Sequence, residues 1–412
     1  MLRVNAFAAL RPRPEVASEV ASVPYDVVNT EEARRLAEGH PLSFLHVVRS
    51  EIDLPPETDP YSDVVYQKAL QNFERLQRET LIREGAPAIY LYRQETTLLG
   101  KQVRQTGVVC CCHVDDYLAG IVKRHEKTRR DKEDDRTRHV LTLSTNTGPV
   151  FLMYPDRAGL HDLTAADSKL PPLYDFVAPD GVRHVVWRCP RPEAYVGEFA
   201  RVQAAYVADG HHRAASAARA AAERRATNPR HTGSEEYNWF LAALFPASEL
   251  TILPYHRVIK DTGGLSAQAL VAKIRGVAQV EPTADAEPRG PGSFGMYLER
   301  QWYRVTLPTS VIDASDPVAS LDYTLLEQHV LRPVLGIGDL RTDQRIDFVG
   351  GIRGTGELVR RVDGGRDAIA FAMQPTNIEH LLRVADAGQI MPPKSTWFEP
   401  KLRSGLLIHT LD

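Results

Sequence analysis

Cysteine is scarce in this chain: 4 of 412 residues, three of them the consecutive Cys110, Cys111 and Cys112. Neighbouring strand residues point to opposite faces, so this run suits neither a shared metal nor a disulfide. Buried, reduced thiols packed as small hydrophobes are expected, and with them a cytoplasmic compartment. Long apolar runs are also missing, since none approaches the ~18–20 residues of a membrane helix. Residues 1–14 carry charge and proline too early to read as a signal peptide. Charge of one sign is lacking as well: 50 Lys and Arg face 53 Asp and Glu, net −3. That balance argues against a surface built for polyanions and leaves room for a local basic cleft only. No repeat of 20–50 residue period is visible.

What is present is a soluble, globular composition, 43% hydrophobic and 25% charged. The length exceeds the usual single-core limit of ~250–300 residues, so two or more packed lobes are expected. Strand and helix signals alternate, which predicts an α/β (α+β) class. Thr30 reads as the cap of a short helix that Gly39 stops, and Val64, Val65, Leu70, Phe73 and Leu76 predict an amphipathic helix over 61–83. Strands are predicted at 88–93, 105–114, 150–154, 184–187, 206–208 and 237–245. The proline-rich stretch 281–291 reads as a hairpin loop or lobe junction, followed by strands around Tyr297 and Tyr303 and helices near 321–331 and 357–362.

The densest chemistry is Asp209-Gly210-His211-His212-Arg213, where a strand meets a glycine and an alanine-rich helix begins. A helix start leaves about four backbone N–H groups free and carries roughly half a positive charge, which is a ready anion site. Gly210 lets the backbone approach an oxyanion, Arg213 offers a planar fork, and His211 and His212 can donate hydrogen bonds or move protons. The competing reading is structural, an N-capping Asp209 with two solvent-facing histidines. A zinc site is the weaker alternative, because adjacent histidines diverge and no HxxxH or CxxC partner is near.

This turn resembles the phosphate-binding motif of the ParB/sulfiredoxin-like superfamily, in particular its free serine kinases, which have an Asp-Gly-His-x-Arg turn. Val122-Lys123-Arg124-His125-Glu126-Lys127-Thr128 resembles the segment that supplies their catalytic glutamate. The whole chain also resembles a bacterial family labelled a domain of unknown function. Its marks are Val23-Pro24-Tyr25-Asp26-Val27, the Lys132-to-His139 run and Pro392-Pro393-Lys394-Ser395-Thr396-Trp397-Phe398. The resemblance implies a ParB/sulfiredoxin-like catalytic core over 115–260, elaborated by a large insertion, with an N-terminal α/β segment over 1–114 and a C-terminal α/β domain over 261–412. It departs from the compact kinases in one respect: a long insertion separates Glu126 from Asp209.

On its own terms, Glu126 follows a short apolar strand, and a carboxylate there can accept the proton of an attacking hydroxyl. The mixed-charge run that follows reads as a solvated helix with pairs such as Arg130–Asp134. The functional alternative is that Arg136 or His139 faces a nucleotide or substrate carboxylate, with His125 and Thr128 nearby. Asp134 and Asp135 are candidate Mg²⁺ ligands, since Mg²⁺ takes only one or two protein carboxylates beside phosphates and water. Asn146-Thr147-Gly148-Pro149 reads as a structural turn, and Tyr25-Asp26, His46 and Arg49 are further cleft candidates. The glycines of 348–357 do not have GxGxxG spacing and read as a tight connection needing positive φ, while Lys394 lacks Walker A glycines around it.

Two functions follow. One is a kinase moving a phosphoryl group from ATP or ADP, with Mg²⁺, to the hydroxyl of free L-serine. In it Glu126 is the base, and the Asp209, Gly210, His211, His212 and Arg213 turn holds phosphate. The resemblance supplies serine and the glutamate's role; the residues themselves indicate phosphate handling and a base. The other is a non-catalytic ParB-like nucleotide- or DNA-binding regulator, against which stand the balanced charge and the lack of a helix-turn-helix. No membrane partner is expected, and the sequence carries no signal for an oligomeric state.

Overall fold

The computed structural model describes all 412 residues, which form two compact units. The first comprises Met1–Thr97, Lys101–Leu250 and Pro400–Asp412; the second comprises Leu98–Gly100 and Thr251–Glu399. No helix is long and apolar enough to cross a membrane.

The first unit is built on a nine-stranded mixed sheet. Its strands in chain order are β1 (Val4–Asn5), β2 (Tyr90–Leu98), β3 (Lys101–His113), β4 (Val122–Lys123), β5 (Val150–Tyr154), β6 (Tyr174–Val177), β7 (Arg183–Arg188), β8 (Ala205–Asp209) and β9 (Trp239–Pro246). The spatial order is β4-β8-β5-β9-β3-β2-β7-β6, with β1 added beside β3. Residues 108–112 of β3 are buried on both faces, which explains an unbroken Val-Val-Cys-Cys-Cys run. All four cysteines are free and buried, as expected.

Three helices matter for the site: α1 (Asp63–Glu79), α2 (Arg130–Leu143) and α3 (His211–Thr227). The six alanines of α3 at 214, 215, 217, 218, 220 and 221 are buried, so their small size lets the helix pack close to its neighbours. In α1 the buried stripe is Val65, Tyr66, Ala69, Phe73 and Leu76, whereas Val64 is half exposed. The expected helix over 61–83 is too long, because Leu81–Arg83 leaves it to pair as a strand with Leu10–Pro12. The expected cap also shifts by one residue. Asn29, not Thr30, closes a reciprocal box with Glu32, at 2.8 and 2.9 Å.

The second unit holds a six-stranded sheet in which Gln279–Thr283 and Ser293–Leu298 flank Gln301–Thr306. The 281–291 stretch therefore connects two strands across a third within this unit. It is neither a hairpin loop nor a lobe junction. Arg257 is fully buried, with its guanidinium over the rings of Tyr323 (4.4 Å) and Phe348 (5.0 Å). It donates to the carbonyls of Tyr255, Lys394 and Pro393, which fixes the turn that carries exposed Lys394 at φ +56. In the 348–357 glycine cluster only Gly354 has positive φ. Gly350 and Gly351 answer close packing instead, against Trp397 and Pro254.

Candidate functional site

The parallel pairing of β4 with β8 organises the site. Ala205 pairs with Val122 and Tyr206 with Lys123, so both strands end at the same edge of the sheet. The same offset of 83 residues continues beyond the strands. The Arg129 N–H donates to His212 Nε2 (3.1 Å), and the Ser216 hydroxyl donates to the Glu133 carbonyl (3.3 Å). Two strand–turn–helix units thus lie side by side, and α2 and α3 begin next to each other. Their adjacent N-termini concentrate positive potential and free N–H groups at one place.

Gly210 caps α3 in the left-handed region, φ +91 and ψ 31. A Cβ there would stand 2.9 Å from the Arg213 guanidinium carbon, which folds back over the turn. Arg213 also donates to the Pro149 carbonyl and faces Asp209 at 3.6 Å. Asp209 is held chiefly by Lys401, whose Nζ donates to Oδ2 at 2.8 Å. Burial pushes this carboxyl upward, but Lys401 and then Arg213 outweigh it and hold the pKa well below the usual carboxylate range. Asp209 is therefore an ion-paired carboxylate, not a cap, since Gly210 is the N-cap and receives no side-chain capping bond.

The two histidines differ. His211 is buried, and burial drops its pKa to about 3, so it is neutral at physiological pH. Its ring meets that of His125 edge to face at 4.6 Å. Burial holds His125 well below its ordinary value too. His211 Nδ1 lies 3.8 Å from Glu126 Oε2, while its Nε2 is buried with no hydrogen-bond partner. His212 Nε2 accepts the Arg129 N–H and so cannot carry the proton; burial lowers this pKa as well. The Glu126 side chain is 46% exposed, as a group open to an incoming molecule must be.

Glu126, His125, Asp209, Gly210, His211, His212 and Arg213 are thus brought together. Thr128 spends its hydroxyl on Glu133. The two proposed metal ligands do not converge, because adjacent helix positions diverge by about 100°. Asp134 pairs with Arg219 at 2.7 Å, replacing the expected Arg130–Asp134 pair, while Asp135 takes Arg136 and the Tyr66 hydroxyl at 2.8 Å each. No group of three or more His, Cys, Asp or Glu gathers as for a metal.

Arg136 and His139 do face inward, toward the N-terminal segment. Arg136 stacks on Tyr25 at 4.3 Å, and His139 Nε2 contacts the Val47 carbonyl at 3.0 Å. With Tyr25, Asn146, Arg213 and Ser404 they line a cavity of about 30 Å³, room for water rather than a nucleotide. His46 is tied to Asp53 and Arg49 to Glu51, at 2.8 Å each, and Arg49 also donates to the Tyr25 carbonyl at 3.2 Å. Lys401 and Ser404 carry no sequence signal. They arrive on the last thirteen residues, which return to the first unit through Ser22–Ser404 and Leu10–Ile408 bridges.

The model of the family described as "Protein of unknown function (DUF1015)" matches residues 4–324. No curated protein matches. Among solved structures, a free serine kinase in complex with AMP is similar at 11% identity and TM-score 0.37, covering 73% of this chain and 91% of its own. A conserved hypothetical protein from Pyrococcus furiosus is similar at 11% and 0.35, covering 72% and 93%. SbnI with C-terminal truncation from Staphylococcus aureus is similar at 11% and 0.37, covering 71% and 82%.

Proposed function

The chain belongs to this family of unknown function, and from that premise we propose that it is a nucleotide-dependent phosphotransferase acting on a small hydroxyl compound, with free L-serine as acceptor. We read its nine-stranded sheet as an elaborated ParB/sulfiredoxin-like core. One observation carries the reading: the Glu126 carboxylate stands 3.8 Å from His211, at the glycine-capped start of α3. A base and an anion-binding helix start therefore share one spot, although the sequence separates them widely.

Phosphoryl transfer asks a protein for positioning and charge stabilisation more than covalent chemistry. The gap between Glu126 and His211 is longer than a hydrogen bond and suits an intervening hydroxyl. The acceptor oxygen bonds to phosphorus as the bridging P–O bond to the nucleotide breaks. Its proton passes to Glu126, and the nucleotide leaves one phosphate shorter. The free N–H groups at the start of α3 face the transferred phosphate, and neutral His211 contributes hydrogen bonding without adding charge. Lys401 and Arg213 hold Asp209 and the turn in shape. Asp134 and Asp135 are committed to arginines and do not fit a resident Mg²⁺ site, so Mg²⁺ would enter with the nucleotide as part of that substrate.

The test is direct. Purified chain with Mg²⁺, L-serine and either ATP or ADP should yield O-phospho-L-serine by mass spectrometry. No product with either donor defeats the reading.

A further inference from the structure

A cavity with polar walls lies in the second unit. It holds about 230 Å³ and is lined by Ser320, Asp322, Gln374, Asn377, His380 and Arg383, among others. This is just under the ~300–1,000 Å³ of typical ligand clefts, a size for a compact molecule and not a nucleotide.

Two of the groups that line it carry charge. Arg383 gives one N–H to the Ala314 carbonyl at 2.9 Å, makes no ion pair with a carboxylate and is otherwise exposed. Asp322 has no cation beside it either. Its Oδ1 accepts the Gly292 N–H at 2.6 Å, which leaves the second oxygen uncommitted. Burial raises this carboxyl to about 6, the mark of a negative charge that lacks a partner. One unpaired anion and one unpaired cation thus border the same cleft without pairing with each other.

The remaining polar groups are already oriented. His380 Nε2 contacts the Pro317 carbonyl (2.7 Å) and the Ser320 hydroxyl (3.2 Å), and burial lowers its pKa, so it adds no fixed charge. Gln374 is held through Gly290 (3.1 Å) and through its own carbonyl by the Tyr323 hydroxyl (2.9 Å). Asn377 caps the helix Ile378–Asp386 through Oδ1, which accepts the His380 N–H at 2.7 Å and fixes both residues in the cavity wall.

We propose that this cleft is a binding site for a small zwitterion of the free amino-acid class, its ammonium on Asp322 and its carboxylate on Arg383. Each end of such a ligand supplies the charge that the protein leaves unmatched, and a desolvated charge gains most from a partner. The proposal rests on the second unit alone and is independent of the reading of Glu126.

Isothermal titration calorimetry of the full chain with each of the nineteen free amino acids other than L-serine, the acceptor proposed for the first unit, tests it. At least one should bind, and its N-acetyl and carboxamide forms should each bind at least tenfold more weakly. Asp322→Asn keeps the acceptor for Gly292, and Arg383→Gln alters an exposed side chain, so both variants should fold. Each should weaken binding at least tenfold. Absence of binding by all nineteen overturns the proposal. So does binding that survives both substitutions, or that is indifferent to blocking the amine and the acid. Phosphoserine formation, measured alongside, reports on the other reading separately.

Discussion

Lys401 Nζ sits 2.8 Å from Asp209 Oδ2, across 192 residues of sequence. Both side chains are largely withdrawn from water, at 15% and 21% exposure. Removing the cation leaves a desolvated carboxylate with only Arg213, at 3.6 Å, to balance it. Lys401→Met should therefore cost about 2–3 kcal/mol, somewhat less than the ~3–5 kcal/mol for breaking a fully buried pair. Adding Asp209→Asn should restore much of that loss, because the uncompensated charge disappears. Urea unfolding of the single and double variants measures both effects. Equal stability of Lys401→Met and the parent would show that the pair contributes nothing.

A second prediction separates base from binding residue. Glu126 is half exposed and lies beside His211. Glu126→Gln keeps size and polarity but cannot take a proton. Turnover to phosphoserine should fall about 100- to 10,000-fold, the span usual for a general base. Nucleotide affinity, read by calorimetry, should stay within about twofold. A parallel loss of affinity would assign Glu126 to binding instead.

Much of this site was legible because strand, glycine and helix are local signals. Asp209, Gly210 and His211 announce a glycine-capped helix start within a few residues. The approach of Glu126 depends instead on β4 pairing parallel with β8 at an 83-residue offset, a register that no local pattern encodes. Lys401 was invisible for a stronger reason. A lysine near a terminus has no periodicity, and only the return of residues 400–412 to the first unit gives it a partner. The errors were of the same kind. Val64 is apolar, yet packing chose Tyr66 and Ala69 for the buried stripe of α1. Asp134 and Asp135 are adjacent carboxylates, yet the helix sends them to different arginines.

Gly210 offers a third test, since two effects meet there. Its φ of +91 disfavours any side chain, and a Cβ would press on the Arg213 guanidinium at 2.9 Å. Gly39 has a comparable φ of +75 with open space around it. Gly39→Ala should thus report backbone strain alone, about 1–2 kcal/mol. Gly210→Ala should exceed it by about 1 kcal/mol, since Arg213 must also move, at the level of a modest overpacking penalty. It should also abolish the nucleotide-induced rise in melting temperature, which Gly39→Ala retains. Identical behaviour of the two variants would remove Gly210 from the site.

The buried histidines predict the acid response of the first unit. Burial lowers His139 to about 4 and His184 and His211 to about 3, against about 6.5 in an unfolded chain. Below pH ~6.5 the unfolded chain takes up a proton at each site while the native chain does not, so unfolding is favoured as pH falls. The stabilisation is complete above the unfolded value and is lost progressively between ~6.5 and ~3–4. In the middle of that window each histidine should contribute a slope of about 1.4 kcal/mol per pH unit. Asp209 behaves differently. Its depressed pKa gives stability that persists above ~3.9 and fades only below it, outside a pH 7-to-5 series. Urea unfolding of the full chain at pH 7, 6 and 5, followed by fluorescence, should therefore show a steady loss of stability toward acid. A flat profile over that range would mean that these imidazoles gain protons within the folded state, and His211 could then not be the neutral group beside Glu126.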